Sequence, residues 1–166
     1  MKLRAVEPED VDFILECESD TDSARWSDYK APFSRNQLMT YALTYDADPF
    51  AAGGLRLIIE SEGKERIGIL DLYDVSRNDL RAYVGICIHP DFRRKGAAKN
   101  ALKLLDSFIT DRMGLRQLAV KISIHNEPAI RLFESSGYKK IATLPSWHRI
   151  GTKYHDILLL NKSSFH

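Results

Sequence analysis

The sequence predicts a single α+β domain: a mixed central sheet of about seven strands flanked by about four helices. Three observations carry this expectation. The chain has 166 residues, 44% hydrophobic and 28% charged, which suits one soluble core. Strand-like and helix-like patterns follow the order strand, helices, three strands, helix, strand, helix, hairpin. A helix-sized connection separates the fourth and fifth strands, long enough to let them run parallel.

Each element has a local reason. "KLRAV" alternates polar and apolar residues and reads as the first strand. "EPEDVDFILECES" places Pro8 near a helix start, acids in the first turn, and Val11, Ile14 and Leu15 at helical spacing. "SRNQLMTYALTY" reads as a helix capped by Ser34, and "DADPFAAGG" as a loop. "LRLIIES" and "ERIGILDLYDV" form two strands around Glu62-Gly63-Lys64, and "RAYVGICIH" follows the turn "RNDL" as a fourth. "KGAAKNALKLLDSFITDRM" is a long helix with Ala98, Leu102, Leu105 and Ile109 on one face and Gly114 as its stop. "RQLAVKISI" gives the fifth strand. "NEPAIRLFESSG" is a helix from Asn126 to Gly137, and "KKIATLPSWHRI", "GT" and "KYHDILLL" close the chain as a hairpin.

Composition narrows the function classes. A net charge of +1 gives no global attraction to nucleic acid or to an anionic membrane. Cys17 and Cys87 have neither metal-ligand spacing nor a disulfide framework, so reduced thiols in a cytoplasmic protein are expected. No apolar run reaches the roughly 18 residues that span a bilayer, and the N-terminus does not read as a signal peptide.

The unusual stretch is "HPDFRRKGAAKNALKLL", residues 89–105. Arg93, Arg94, Lys95, Gly96, Ala97 and Ala98 lie where a strand gives way to a helix. Free N–H groups at a helix start form an anion site, and Gly96 permits backbone shapes closed to other residues. No G-x-x-x-x-G-K-[ST] or G-x-G-x-x-G pattern is present. Spacing alone leaves two readings open: a diphosphate cradle, or a turn with solvated cations.

Arg93-x-x-Gly96-x-Ala98 resembles the [Q/R]-x-x-G-x-[G/A] signature of the GNAT family of acyl-CoA-dependent N-acetyltransferases. Asn126, Ala129, Leu132, Phe133, Gly137 and Tyr138 resemble a second element of that family. The likeness covers residues 65 to 160 well and the first 60 loosely. It is closest to the branch containing ribosomal-protein N-terminal and spermidine acetyltransferases. It implies one GNAT-like domain over 1–166, with 1–60 on the acceptor side and 65–160 as the acyl-CoA-binding core. It also implies acetyl-CoA as cosubstrate without a metal. Ile86, Cys87 and Ile88 would then pair with the pantetheine arm through their main chain. Residues Arg94 to Lys99, including Ala97 and Ala98, would bind the pyrophosphate, and Asn126 would hold the pantetheine.

The resemblance implies direct attack of a neutral amine on the acetyl thioester, in which a tyrosine often protonates the departing sulfur. Its position here is Phe133, which has no hydroxyl; Tyr138, Tyr83 and Tyr73 are the candidate substitutes. Candidate bases are Asp71, Asp74, His125, His148 and His155, with Asp71 first because a carboxylate is unusual in an apolar strand. Asp20, Asp22 and Asp28 beside Trp26 and Tyr29 are candidates to bind a cationic acceptor: a polyamine, a protein N-terminus or another small amine. A homodimer is a further expectation from the family. The rival class is a catalytically silent acyl-CoA-binding module, which the missing tyrosine favours. One short cationic cluster is too little for a nucleic-acid interface.

Overall fold

The computed structural model describes residues 1–27, 31–46 and 48–163. Seven strands, β1 (Lys2–Ala5), β2 (Gly54–Glu60), β3 (Arg66–Ser76), β4 (Arg81–Ile88), β5 (Gln117–Ser123), β6 (Lys139–Ile150) and β7 (Lys153–Ser163), form one sheet in the order β1-β2-β3-β4-β5-β7-β6. Every neighbouring pair is antiparallel except β4 and β5, which are parallel. The expected mixed α+β architecture is therefore observed. Pro145 is tolerated because β6 lies at the sheet edge, where the register also shifts between Leu144 and His148.

The helices are α1 (Val11–Ser19), α2 (Thr21–Ala24), α3 (Arg35–Leu43), α4 (Pro49–Ala52), α5 (Ala97–Phe108) and α6 (Glu127–Ser135). The four long ones match the sequence pattern. The single-turn α2 and α4 do not: α4 forms inside the stretch read as a loop. Its signals are Asp48, whose carboxylate accepts from the Phe50 N–H at 2.9 Å, and Pro49 in the first turn. Ser34 caps α3 as expected, in a reciprocal pair with Gln37.

Strand alternation divides the apolar residues into two cores. Leu55, Leu57, Leu70, Leu72, Val84, Leu118 and Val120 pack beneath Ala101, Leu102 and Leu105 of α5 and Phe133 of α6. Ile58 and Ile69 point to the opposite face and meet Val11, Ile14 and Cys17 of α1 and Leu38 of α3. The sheet thus carries one helical layer on each face, with both faces buried near β2–β4.

Asp10, fully buried, ties the α1 end of the sheet together. Its carboxylate accepts from Arg4 at 2.7 and 2.9 Å, from Arg66 at 2.6 Å and from the Glu7 N–H at 2.8 Å. Burial alone would raise its pKa; hydrogen bonds from Arg4, the Glu7 N–H and Arg66 together hold it below the usual carboxylate value. A depressed folded-state pKa gives stability that is present above the unfolded carboxylate value and lost as pH falls through the folded one. Asp10→Asn should cost about 2–3 kcal/mol near neutral pH, because two arginines lose a buried charged partner. Chemical denaturation should show a gap between variant and parent that narrows on acidification.

Candidate active site

Strands β4 and β5 begin as partners and then separate. Parallel pairing joins Arg81, Ala82 and Tyr83 to Gln117, Leu118 and Ala119, and stops there. Beyond that point β4 stays paired with β3 through Ile88, opposite Gly68, and β5 stays paired with β7 through Ser123, opposite Ile157. Each strand therefore has one committed edge and one open edge facing a wedge inside the sheet. Unpaired main-chain groups in mid-sheet form a template for an extended ligand that pairs as an extra strand would.

The wedge opens toward the residue 93–99 turn. A short 3₁₀ turn, Pro90–Phe92, leads to Arg94 and Gly96, which have φ of 60° and 78°. This left-handed backbone turns the chain into α5, where the Asn100 N–H bonds the Gly96 carbonyl at 3.1 Å. The N–H groups of Ala97, Ala98 and Lys99 precede that bond and are free of helical partners. A Cβ placed on Gly96 would meet nothing within 4 Å, so the glycine faces open space rather than packed protein.

The nearby cations point elsewhere. Lys95 donates to the Asp91 carbonyl at 2.8 Å. Arg93 donates to the Ile88 carbonyl at 2.9 Å, to Ser23 Oγ at 3.0 Å and to the Asp20 carboxylate. Its guanidinium serves the α2 side. That ion pair, with the Ser23 hydrogen bonds, holds Asp20 below the usual carboxylate value against a smaller effect of burial.

Asn126 caps α6, with Oδ1 accepting from the Ala129 N–H at 3.3 Å, so one face of its amide is structural. Phe133 is 3% exposed and meets Tyr138 edge to face at 4.9 Å. The Tyr138 hydroxyl is buried, has no hydrogen-bond partner among the described residues, and is pushed above its usual pKa mainly by burial. Both residues belong to the core beneath α5 and α6.

Asp71 sits opposite Gly85 on β4. Its two oxygens accept from Arg56 at 2.7 and 2.8 Å, while Glu18 accepts from the same guanidinium at 2.9 Å. The strand carboxylate that sequence singled out is thus one arm of a three-residue ion cluster. Asp74 is an exposed partner of Arg81 at 3.1 Å. His125 and His155 meet edge to face at 4.8 Å, and His148, opposite His155 in the hairpin, is buried with Nε2 3.5 Å from the Arg25 carbonyl. Trp26 lies at the end of α2 beneath the Arg25 guanidinium, whereas Asp28 and Tyr29 fall outside the described residues. A cavity of about 210 Å³ opens on this side, with Leu15, Glu18, Ala24, Pro32 and Phe33 in its wall.

Residues 1–139 match the acetyltransferase (GNAT) domain family. The chain belongs to that family. It is 25% identical over 138 residues to a spermidine N(1)-acetyltransferase of Escherichia coli K12, covering 83% of this chain and 72% of the relative. An 80-residue stretch is 29% identical to the mouse alpha/beta-tubulin-N-acetyltransferase 9, covering 48% of this chain and 32% of that one. Among solved structures, a spermidine N-acetyltransferase from Vibrio cholerae, in complex with CoA and spermine, superposes with a TM-score of 0.87 at 21% identity, covering 98% of this chain and 94% of that one.

As a GNAT acetyltransferase the chain transfers an acetyl group to an amine. The sequence reading missed two residues on this face, Arg56 and Lys121, and named a third, Tyr73, only as a candidate acid. Arg56 compensates Asp71. Lys121 Nζ lies 4.9 Å from the ring centroid of Tyr83, the last β4 residue paired with β5. Tyr73 stacks on the same ring at 5.4 Å. Strand parity was the available signal, since Asp71, Tyr73, Tyr83, Gly85 and Lys121 all alternate onto one face once the register is known.

Proposed function

We propose that this chain is an acetyl-CoA-dependent N-acetyltransferase acting on small primary amines by direct attack in a ternary complex. The separation of β4 from β5 after Tyr83, leading to the open turn at Gly96, carries this reading. Acetyl-CoA supplies the acetyl group as a thioester. Ile86 and Ile88, on either side of the β3-paired Cys87, offer open-edge main-chain groups to the pantetheine arm, and the amides of residues 94–99 offer donors to the diphosphate. A β4 N–H facing the wedge is placed to stabilise charge on the acyl oxygen. In this reading residues 1–60 form the acceptor side and 65–160 the CoA-binding core, at work in the cytoplasm. Exposed Ile141, Trp147 and Tyr154 on the β6–β7 edge support association of two copies there.

The acceptor must arrive, or become, neutral. At pH 7 an amine of pKa near 10.4 costs about 4.5 kcal/mol to deprotonate, and an α-amine near 8 about 1.4 kcal/mol. Lys121 lowers this cost, because a nearby cation disfavours a charged amine, whereas Arg56 is already outweighed by Asp71 and Glu18. Glu18 in the wall of the acceptor cavity acts the other way and favours initial capture of a cation. The named activity of the Escherichia coli relative supports a polyamine within this class.

Release of free thiol from acetyl-CoA, followed with spermidine, spermine, a monoamine and a peptide bearing a free N-terminus, tests the proposal. Turnover with at least one amine, together with a higher unfolding temperature in acetyl-CoA, is the expected result. A thermal shift with no thiol release across the panel would replace small-amine transfer with a narrower acceptor class. No shift at all would overturn the wedge as the acyl-CoA site.

A further inference from the structure

Two thiols that sequence treats as unrelated are neighbours in space. Cys17 is fully buried on α1, and Cys87 is half-buried on β4. The Cys87 Sγ lies 3.8 Å from the Cys17 carbonyl and 3.4 Å from Ser23 Oγ. Ser23 in turn accepts from Arg93 at 3.0 Å, so a hydroxyl and a guanidinium flank the sulfur on its α2 side. A small core cysteine needs none of these polar neighbours. Ser23 and, behind it, Arg93 favour a thiolate on this partly open side, while the Cys17 carbonyl accepts from the Cys87 S–H and holds the sulfur against α1.

The two sulfurs are also unlike each other. Cys87 is held below the usual thiol pKa chiefly by a hydrogen bond from Cys17, then by Ser23 and Arg93, against burial and the charge of Glu18. Cys17 is pushed up by the same hydrogen bond, by burial, and by Glu18 and Glu16. Geometry separates their roles as well: Cys87 is partly exposed beside Ser23 and Arg93, as an attacking thiol must be, and Cys17 is buried next to it, where a resolving thiol would sit.

We propose that Cys87 is an oxidation site for hydroperoxides and that Cys17 resolves the product, linking α1 to β4. The Cys87 thiolate attacks the outer peroxide oxygen, the O–O bond breaks, and an alkoxide or hydroxide leaves, giving Cys87 sulfenic acid. The Cys17 sulfur then attacks the Cys87 sulfur. The S–O bond breaks, water departs with the Cys17 proton, and an S–S bond forms. The two thiols lose two electrons in total and the peroxide gains them.

The consequence falls on the acetyltransfer site. Cys87 pairs with Ile69 of β3 between Ile86 and Ile88, which flank the open edge of β4, and α1 carries Leu15 and Glu18 of the acceptor cavity. A bond between these elements fixes one wall against the other. It also removes the thiolate that neighbours Arg93, the first residue of the turn that leads to Gly96.

The test uses the full chain, natively folded, exposed to a small excess of hydrogen peroxide, then denatured and alkylated. The expected product is lighter by two hydrogen atoms and takes up no alkyl group. It yields a Cys17–Cys87 cross-linked peptide, and dithiothreitol restores both thiols. Cys17→Ala should divert the same treatment to oxygen addition at Cys87. Two alkylated thiols after treatment, oxygen addition at Cys87 of the parent chain, or disulfides only between separate chains would each overturn the proposal. The readout is a mass and does not depend on turnover, so it stands apart from the test of the transferase reading.

Discussion

Gly96→Val is expected to weaken acetyl-CoA binding by about a hundredfold or more, whereas Lys95→Ala weakens it by less than about tenfold. The difference follows from what each residue does in the turn. Gly96 has φ of 78°, a conformation that costs a β-branched residue about 1–2 kcal/mol. Its Cβ would meet no protein atom within 4 Å, so the free protein has no clash to relieve and loses only this strain. Relaxing the strain rotates the amides of residues 96–98 away from a shared focus. Hydrogen bonds to a charged group contribute about 1.5–3 kcal/mol each, so losing two removes about 3–6 kcal/mol of binding. Lys95 already donates to the Asp91 carbonyl at 2.8 Å, and an exposed cation adds only about 0–1 kcal/mol. Titration calorimetry gives the ranking, and thermal unfolding isolates the strain. If Lys95→Ala proved the more damaging, the diphosphate would be held by side chains, and the main-chain cradle would be discarded.

What was legible in the sequence is what depends on near neighbours along the chain. Ser34 and Asn126 declare helix starts, Gly114 and Gly137 declare ends, and strand alternation from Leu55 to Ile88 declares the central hairpins. The Arg93-to-Ala98 signature pointed to the proposed cradle because a glycine and small residues at a helix start are a local arrangement. The rest depends on pairings that sequence distance hides. That β4 and β5 part after Tyr83 is a property of two strands separated by an entire helix. Arg93 read as one of three adjacent cations, yet its partner Asp20 lies 73 positions away. Asp71 was noticed as a carboxylate within an apolar strand. Its meaning changed once Arg56, 15 residues distant, and Glu18, 38 residues from that arginine, closed around it. Phe133 shows the opposite case. The absent hydroxyl was visible at once, and the structure adds that the ring is a core contact of Tyr138.

Removing Arg56 is expected to be the most destabilising single change near the site. Its side chain is 11% exposed, and the carboxylates it joins are 30% exposed at Asp71 and 21% at Glu18. Burial acts to lower its pKa, but Asp71 and Glu18 prevail and keep it firmly charged. Arg56→Met retains much of the side-chain volume and leaves two carboxylates close together without a counter-ion. Breaking a fully buried pair costs about 3–5 kcal/mol, and partial exposure here reduces that to about 2–4 kcal/mol. For a chain of this length the unfolding temperature should fall by about 5–15 °C. The pH dependence identifies the cause. In the variant, mutual repulsion and burial raise the folded-state pKa of a carboxyl above its unfolded value, so the folded form takes up a proton first as the solution is acidified. The deficit should therefore be greatest at neutral pH and shrink on acidification. A deficit that stayed constant would mean that Arg56 acts through packing alone. Adding Asp71→Asn to Arg56→Met should recover at least about 1 kcal/mol, since it removes one of the stranded charges. Asp71→Asn alone separates the two roles open to Asp71. As an anchor, Asp71→Asn lowers stability while its rate keeps the parent's dependence on pH; as the base that deprotonates the amine, it removes the acidic limb of that dependence whatever happens to stability.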